Sequence, residues 1–83
     1  MKHFNKLIIN GQNEILGEGY YEKGYDELIV EADSSILNAF DDMFDNRVII
    51  NNIEFEGSNG EYGGFNGPYL IRRIRNNVVT LQK

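Results

Sequence analysis

The chain has no cysteine, one histidine and one proline among its 83 residues. Without cysteine it forms neither disulfides nor thiolate metal sites, and nothing points to an oxidising compartment. The N-terminal segment has only a short apolar run, Leu7 to Ile9, so neither a signal peptide nor a membrane span is predicted. We therefore expect a cytoplasmic protein that forms a single domain over residues 1–83.

Catalytic side chains are also scarce. His3 lies close to the N-terminus, and the three serines fall in a predicted helix cap and a predicted turn. No hydroxyl has a candidate general base beside it. Glu54 and Glu56 share one face of a predicted strand at about 7 Å, a spacing compatible with glycoside hydrolysis, but so short a chain leaves little material for a deep cleft. We predict a non-enzymatic protein without a cofactor or a metal ion.

The net charge of −5 is unevenly distributed along the chain. Residues 1–61 carry all thirteen acids and four cations, for a net charge of −9, whereas residues 62–83 carry four cations and no acid. The acidic excess argues against direct binding of nucleic acid, which requires a basic footprint. Short, acidic, asparagine-rich chains without cysteine are typical of bacterial and phage accessory genes, so we expect a bacterial or infected-cell cytoplasm.

Turn signals separate the apolar runs. Asn10-Gly11 predicts a type I′ hairpin, and Asn51-Asn52 and Asn76-Asn77 predict two more two-residue loops, because asparagine tolerates positive φ. The alternation in residues 26–32 predicts a strand with one face formed by Leu28, Val30 and Ala32 and the other by Glu27, Ile29 and Glu31. The two asparagine pairs would bring together Ile50 with Ile53 and Val48 with Phe55 at the first loop, and Ile74 with Val79 and Arg72 with Leu81 at the second.

One segment has helical periodicity. Asp33, Ser34 or Ser35 can cap its start, and Asn46 can end it in a left-handed conformation. The predicted fold is α+β: a small antiparallel sheet built from hairpins, with one amphipathic helix (about 34–45) packed on one face. The apolar stripe of this helix comprises Ile36, Leu37, Phe40, Met43 and Phe44.

The C-terminal half of this helix carries Asp41, Asp42 and Asp45, where the macrodipole disfavours negative charge. Residues that break a local rule are enriched at functional sites. The cluster is interpreted as a solvated face, as a surface for a basic partner, or as a site for a divalent cation. The sequence around it does not match a calcium-binding loop.

The stretch from Glu56 to Tyr69 contains five glycines and three aromatic rings. No lysine, serine or helix follows its glycines as in a phosphate-binding loop. Two interpretations remain for this glycine-rich loop, residues 57–67 and their flanks. Tyr62, Phe65 and Tyr69 project as binding anchors, with Tyr20, Tyr21 and Tyr25 in a shared aromatic patch, or the rings fill the core as Phe55 does.

The "RRIR" run supplies Arg73 and Arg75, which either contact an anion or pair across the sheet with Glu54 or Glu56. The leading hypothesis is a protein-binding module, in the manner of a phage inhibitor, whose acidic face docks on a basic, nucleic-acid-binding target. The alternatives are a small self-assembling structural subunit and a binder of a small anionic ligand or nucleotide. The predicted partner-binding residues are Asp41, Asp42, Asp45, Glu61, Tyr62, Phe65 and Tyr69.

Overall fold

A computed structural model describes residues 1–83, and strands account for 61% of the chain against 14% for helix. The protein is therefore mainly β. The elements in chain order are β1 (Lys2–Ile9), β2 (Asn13–Lys23), β3 (Glu27–Ala32), α1 (Ser34–Asp45), β4 (Ile50–Glu56), β5 (Tyr62–Arg75) and β6 (Val78–Gln82).

The six strands form a closed antiparallel barrel in the order β1-β2-β3-β6-β5-β4. The barrel closes through β1, which pairs with β2 on one side and with β4 on the other, so that Leu7 lies opposite both Ile15 and Phe55. The predicted α+β fold, a small hairpin sheet with the helix packed on one face, is therefore wrong, because the strands close into a barrel and the protein is mainly β. A closed barrel leaves no free strand edge and has an interior filled by its own side chains.

The prediction failed chiefly at Asn51-Asn52, which lie inside β4 and not in a turn. Asn10 holds them there. The side-chain oxygen of Asn10 accepts hydrogen bonds from the backbone N–H groups of Asn51 at 2.7 Å and Asn52 at 3.3 Å. The backbone N–H of Asn10 donates to the Asn52 carbonyl at 2.9 Å. The proposed pairing of Ile50 with Ile53 is therefore wrong, as is that of Val48 with Phe55. β4 remains extended and reaches β1.

The other two hairpins are confirmed. Asn10 and Gly11 adopt positive φ angles of 54° and 69° between β1 and β2. Asn76-Asn77 joins β5 to β6 and pairs Ile74 with Val79 as predicted. The pairing of Arg72 with Leu81 is wrong, because Arg72 is the extra residue of a bulge that shifts the register.

The predicted bounds of the helix are confirmed at Ser34 and Asp45. Asp33 caps it, since its carboxylate accepts hydrogen bonds from the N–H groups of Ile36 at 3.2 Å and Glu18 at 3.0 Å. These two hydrogen bonds lower the pKa of the Asp33 carboxyl group, and the bond from Glu18 has the larger effect. The left-handed residue at the other end is Arg47, with a φ of 54°, and not Asn46 as predicted.

α1 covers one end of the barrel. It packs against β2, β5 and β3, and β2 and β5 lie on opposite sides of the strand ring. Ile36 and Phe40 are fully buried and belong to the same core as the strands. The helix therefore acts as a plug at the barrel end where β3 finishes and β4 begins. At 12 residues, it is not long and apolar enough to cross a membrane.

One continuous core of sixteen buried apolar side chains fills the barrel and the helix interface. The predicted inner face of β3 is confirmed, with Leu28, Val30 and Ala32 buried. Aromatic rings pack near the centre, where Tyr21 stacks on Phe55 with ring centroids 4.1 Å apart. The predicted aromatic patch shared by Tyr20, Tyr21 and Tyr25 is therefore wrong for Tyr21, because the ring of Tyr21 is buried in the core.

The glycine-rich segment is mostly strand. Only residues 57–61 connect β4 to β5, and from Tyr62 onward the chain pairs with β4. Gly63 points inward against the ring of Tyr21, and a Cβ there would collide with the tyrosine hydroxyl. Glycine is used here because a neighbouring ring needs the space, and not because the chain turns.

Candidate functional site: Tyr62 and three glutamates at one barrel end

The three rings of the glycine-rich segment have different fates. Tyr69 is fully buried, and Phe65 is half-buried with its ring 5.8 Å from that of Tyr21. Tyr62, at the start of β5, is 60% exposed. The expectation that all three rings project from a loop is therefore wrong, and Tyr62 alone presents most of its ring to a partner.

The position of Tyr62 is fixed by a hydrogen bond across two strands. Its hydroxyl donates to Oε1 of Glu54 at 2.8 Å. Tyr62 and Gly64 point to the same face of β5, and Gly64 lies opposite Glu54 on β4. A Cβ on Gly64 would lie 2.6 Å from the Tyr62 hydroxyl oxygen. The bare glycine therefore leaves the space through which the tyrosine reaches the glutamate.

Two further glutamates border this tyrosine. Glu56 lies directly opposite Tyr62 in the β4–β5 register, and Glu61 precedes it in the chain. The connection is folded back on itself, because the N–H of Gly57 donates to the Glu61 carbonyl at 2.9 Å. We call this group the Tyr62 surface; its members are Glu54, Glu56, Glu61 and Tyr62.

The electrostatics of the Tyr62 surface are dominated by its carboxylates. Lys6 lies opposite Glu56 on β1, but its Nζ is 2.7 Å from Glu14, the only ion pair in the protein. The hydrogen bond to Glu14 is the main cause that raises the pKa of Lys6, and the charges of Glu14 and Glu56 add to it. This cation is therefore shared between two acids and leaves the surface negative.

The Tyr62 hydroxyl remains a proton donor. Its hydrogen bond to Glu54 raises its pKa, with smaller contributions from desolvation and from the charges of Glu54 and Glu56. The ring is consequently neutral at physiological pH. It presents its apolar face to solvent while its polar end is held.

Tyr62 also lines two open depressions. One, of about 320 Å³, lies towards Asn52, Glu54 and Asn66. The other, of about 490 Å³, lies towards Lys2, His3 and Glu61. The exposed ring therefore borders both depressions.

The helix aspartates do not belong to this surface. Asp41, Asp42 and Asp45 are exposed and make no ion pair. β4 begins just after the helix and runs for seven residues to Glu56, about 20 Å away along an extended strand. Among the predicted partner-binding residues, the three aspartates therefore lie at the opposite end of the barrel from Glu61 and Tyr62.

The arginines of β5 lie on a third part of the molecule. Arg73 and Arg75 are exposed and pair in register with Thr80 and Val78 of β6. Neither forms an ion pair with Glu54 or Glu56, so the predicted cross-strand pairing is wrong. A contact with an anion stays a prediction for these two residues.

No three metal-ligating side chains converge anywhere in the protein. The chain matches no protein-family model, no curated protein and no solved structure. Its function is therefore inferred from the geometry of its own residues.

Sequence reasoning found Glu61 and Tyr62 but did not assign Glu54 and Glu56 to the same site. Their shared strand face was visible from their spacing of two residues. Their proximity to Tyr62 was not, because it depends on the β4–β5 register, which aligns Glu56 with Tyr62 and Glu54 with Gly64. The turn predicted at Asn51-Asn52 instead paired residues 53–55 with residues 48–50 and gave no register with β5.

Proposed function

We propose that the protein is a non-enzymatic binding module whose Tyr62 surface docks on a basic patch of another protein. The observation that carries the proposal is the Tyr62–Glu54 hydrogen bond of 2.8 Å at the centre of a negative surface. It holds an exposed aromatic ring in one orientation among three carboxylates. Because the ring is already ordered, binding costs less conformational entropy than it would for a free side chain.

The chemistry of this surface favours arginine and lysine. Carboxylates form bidentate, charge-assisted hydrogen bonds with guanidinium groups. A tyrosine ring attracts cations over its face, and the attraction strengthens as the contact loses water. Basic patches are typical of nucleic-acid-binding proteins, so a target of that class fits the proposal, whereas nucleic acid itself does not.

The charge of the whole protein supports the same partner. A net charge of −5 on 83 residues attracts a basic target from beyond contact distance, and this attraction weakens as salt rises. The helix aspartates contribute to such steering wherever they lie. Unlike the helix aspartates, the residues of the Tyr62 surface would also make direct contacts with the partner in the bound complex.

Two triple variants with equal charge change test this assignment. Glu54→Gln with Glu56→Gln and Glu61→Gln neutralises the Tyr62 surface, and Asp41→Asn with Asp42→Asn and Asp45→Asn neutralises the helix cluster. Each raises the net charge by three. Tagged wild-type protein and both variants are used to capture partners from lysate of the source cell, and binding of the captured protein is then measured at two salt concentrations.

We expect the glutamine triple to bind at least about tenfold more weakly, because it removes hydrogen-bonded contacts as well as charge. The variant with the three helix aspartates replaced should associate more slowly, with little change in its dissociation rate constant. A partner that both triples bind equally well, or that is lost with the asparagine triple alone, would contradict the proposal.

A further inference from the structure

The chain contains three asparagine–glycine pairs, Asn10-Gly11, Asn59-Gly60 and Asn66-Gly67. This dipeptide is prone to spontaneous deamidation, because glycine has no side chain to shield its backbone nitrogen. That nitrogen bonds to the side-chain amide carbon of the asparagine, gives up its proton and displaces the amide nitrogen as ammonia. Water then opens the resulting succinimide ring to aspartate or isoaspartate. Since the three pairs have the same local chemistry, the fold determines which of them reacts.

The pair in the β1–β2 hairpin is constrained by its side chain. The side-chain oxygen of Asn10 accepts hydrogen bonds from the N–H groups of Asn51 and Asn52. Its side-chain nitrogen donates to the carbonyl of Ile49 at 3.1 Å. The amide carbon of Asn10 cannot turn towards the nitrogen of Gly11 unless these hydrogen bonds break. The fold therefore protects this pair.

The pair in β5 is constrained by its strand. Asn66 lies opposite Asn52 in the β4–β5 register. Ring closure requires the backbone to rotate until the side chain lies beside the next nitrogen, whereas an extended strand directs the two apart. Gly67 is also tightly packed, since a Cβ there would collide with the carbonyl oxygen of Ile50. Asn66 therefore cannot form the ring without leaving the sheet.

The third pair lies unconstrained in the connection between β4 and β5. Asn59 and Gly60 are exposed and belong to neither strand. The side chain of Asn59 forms no hydrogen bond, and neither does the backbone N–H of Gly60. A Cβ on Gly60 would have no atom within 4 Å. The nitrogen and the amide carbon can therefore approach each other without the loss of a hydrogen bond.

We propose that Asn59 is a site of spontaneous deamidation in the folded protein, whereas Asn10 and Asn66 are protected. The product places a new carboxylate two residues before Glu61, at the border of the Tyr62 surface. Each conversion changes the net charge from −5 to −6. The Tyr62 surface therefore becomes more negative as the protein ages. The effect on partner binding rests on the proposed function, but the deamidation itself does not.

Incubation at mildly alkaline pH, followed by peptide mapping with mass spectrometry, tests the modification. The map separates the asparagine, aspartate and isoaspartate forms of each pair. In the folded protein, Asn59 should react at least about tenfold faster than Asn10, because hydrogen bonds must break before Asn10 can form the ring. Asn66 should be protected at least as well, because it is held in the sheet.

The chain unfolded in urea is the control for local chemistry. The three pairs should react there at similar rates, because only the fold distinguishes them. Asn59→Gln keeps the amide but requires a larger ring, so it should remove the fast product and leave the rates at Asn10 and Asn66 unchanged. Similar rates for all three pairs in the folded protein overturn the proposal, as does the same difference in rates in urea.

Asn59→Asp tests the effect on the Tyr62 surface, because it supplies the aspartate product directly. It should bind hexa-arginine more tightly than wild type by up to about fivefold, as expected for one exposed charge. Asn38→Asp is the matched control, since it makes the same charge change at an exposed position of α1 and should have a smaller effect. Equal effects of the two variants overturn the link between Asn59 and the Tyr62 surface. A wild-type protein that does not bind hexa-arginine contradicts the proposed function alone, because the deamidation rates are measured without a partner.

Discussion

The two ends of the barrel carry similar numbers of acids but organise them differently. At the helix end, Asp41, Asp42 and Asp45 are exposed on a helix and make no ion pair. At the other end, Glu54 holds the hydroxyl of Tyr62, and Glu56 lies opposite the same tyrosine. The comparison shows that a count of acids does not identify a binding surface. What distinguishes the second end is that neighbouring strands place Glu54 and Glu56 beside the Tyr62 ring.

The helix end also differs in that the inner face of α1 is buried in the barrel core. Replacement of Phe40 by alanine tests this packing and should have the largest effect. Phe40 is fully buried in the shared core, so we expect the free energy of unfolding to fall by about 3–5 kcal/mol. Phe44→Ala, one turn later and half-exposed, should cost less than about 1 kcal/mol. Urea denaturation measures both changes. Equal losses would show that α1 does not plug the barrel.

At the Tyr62 end, two neighbouring glycines should respond differently to alanine. Gly63→Ala places a methyl group against the Tyr21 ring, which is stacked on Phe55, and should cost about 1–3 kcal/mol of stability through overpacking. Gly64→Ala would place a methyl group 2.6 Å from the hydroxyl oxygen of Tyr62 and 3.2 Å from its ring, but this side chain is exposed and can shift into solvent. Stability should therefore change less, while the ring is displaced from Glu54. Urea denaturation gives the stabilities, and NMR of the tyrosine ring protons reports the displacement. A greater loss for Gly64→Ala would reverse the assignment of inner and outer faces.

The N-terminal cap of the helix predicts a pH-dependent effect. Asp33→Ala should destabilise the protein by about 1 kcal/mol through loss of the cap, and Asp33→Asn should lose less because its amide oxygen can still accept a hydrogen bond. The pKa of Asp33 is lowered in the folded state, so the charge stabilises the fold above the unfolded pKa of about 3.9. That advantage over Asp33→Asn should disappear as pH falls through the lowered pKa. A constant difference across this range would contradict the role of the charge.

Tyr69 lies on β5 opposite Ile50, and its replacement predicts the smallest effect. Its buried hydroxyl has no hydrogen-bond partner, so Tyr69→Phe should leave stability unchanged or raise it by up to about 1 kcal/mol. Burial, and then the charge of Asp26, raises its pKa, so wild-type stability should fall as pH rises above about 10, and fall less in the variant. Thermal denaturation at several pH values measures both effects. A loss above about 1 kcal/mol at neutral pH would reveal an ordered water or another partner for the hydroxyl.

Local signals predicted the local parts of the fold. The helix bounds followed from Asp33 and the apolar stripe, and the β3 face followed from simple alternation. Asn10-Gly11 and Asn76-Asn77 form turns as predicted. Asn51-Asn52 has nearly the same local chemistry but lies in a strand, because Asn10, about forty residues away in the chain, satisfies its backbone N–H groups. A dipeptide cannot encode that partner.

The candidate site was partly predictable for the same reason. Tyr62 and Glu61 stood out as an aromatic ring and an acid in a glycine-rich segment. The segment was interpreted as a loop because its glycines usually break strands, whereas Gly63 and Gly64 make room for two tyrosine side chains. The grouping with Glu54 and Glu56 required the strand register. Barrel closure then separated the helix aspartates from the site.

The most direct test of the central claim is an NMR titration of ¹⁵N-labelled protein with hexa-arginine, a probe for a basic protein surface. The account predicts that backbone amide shifts concentrate at Glu54, Glu56 and residues 61–64, and that they weaken when Tyr62 is replaced by alanine. Shifts that concentrate on residues 41–46, or that follow charge equally at both ends of the barrel, would contradict the assignment of the Tyr62 surface as the binding site.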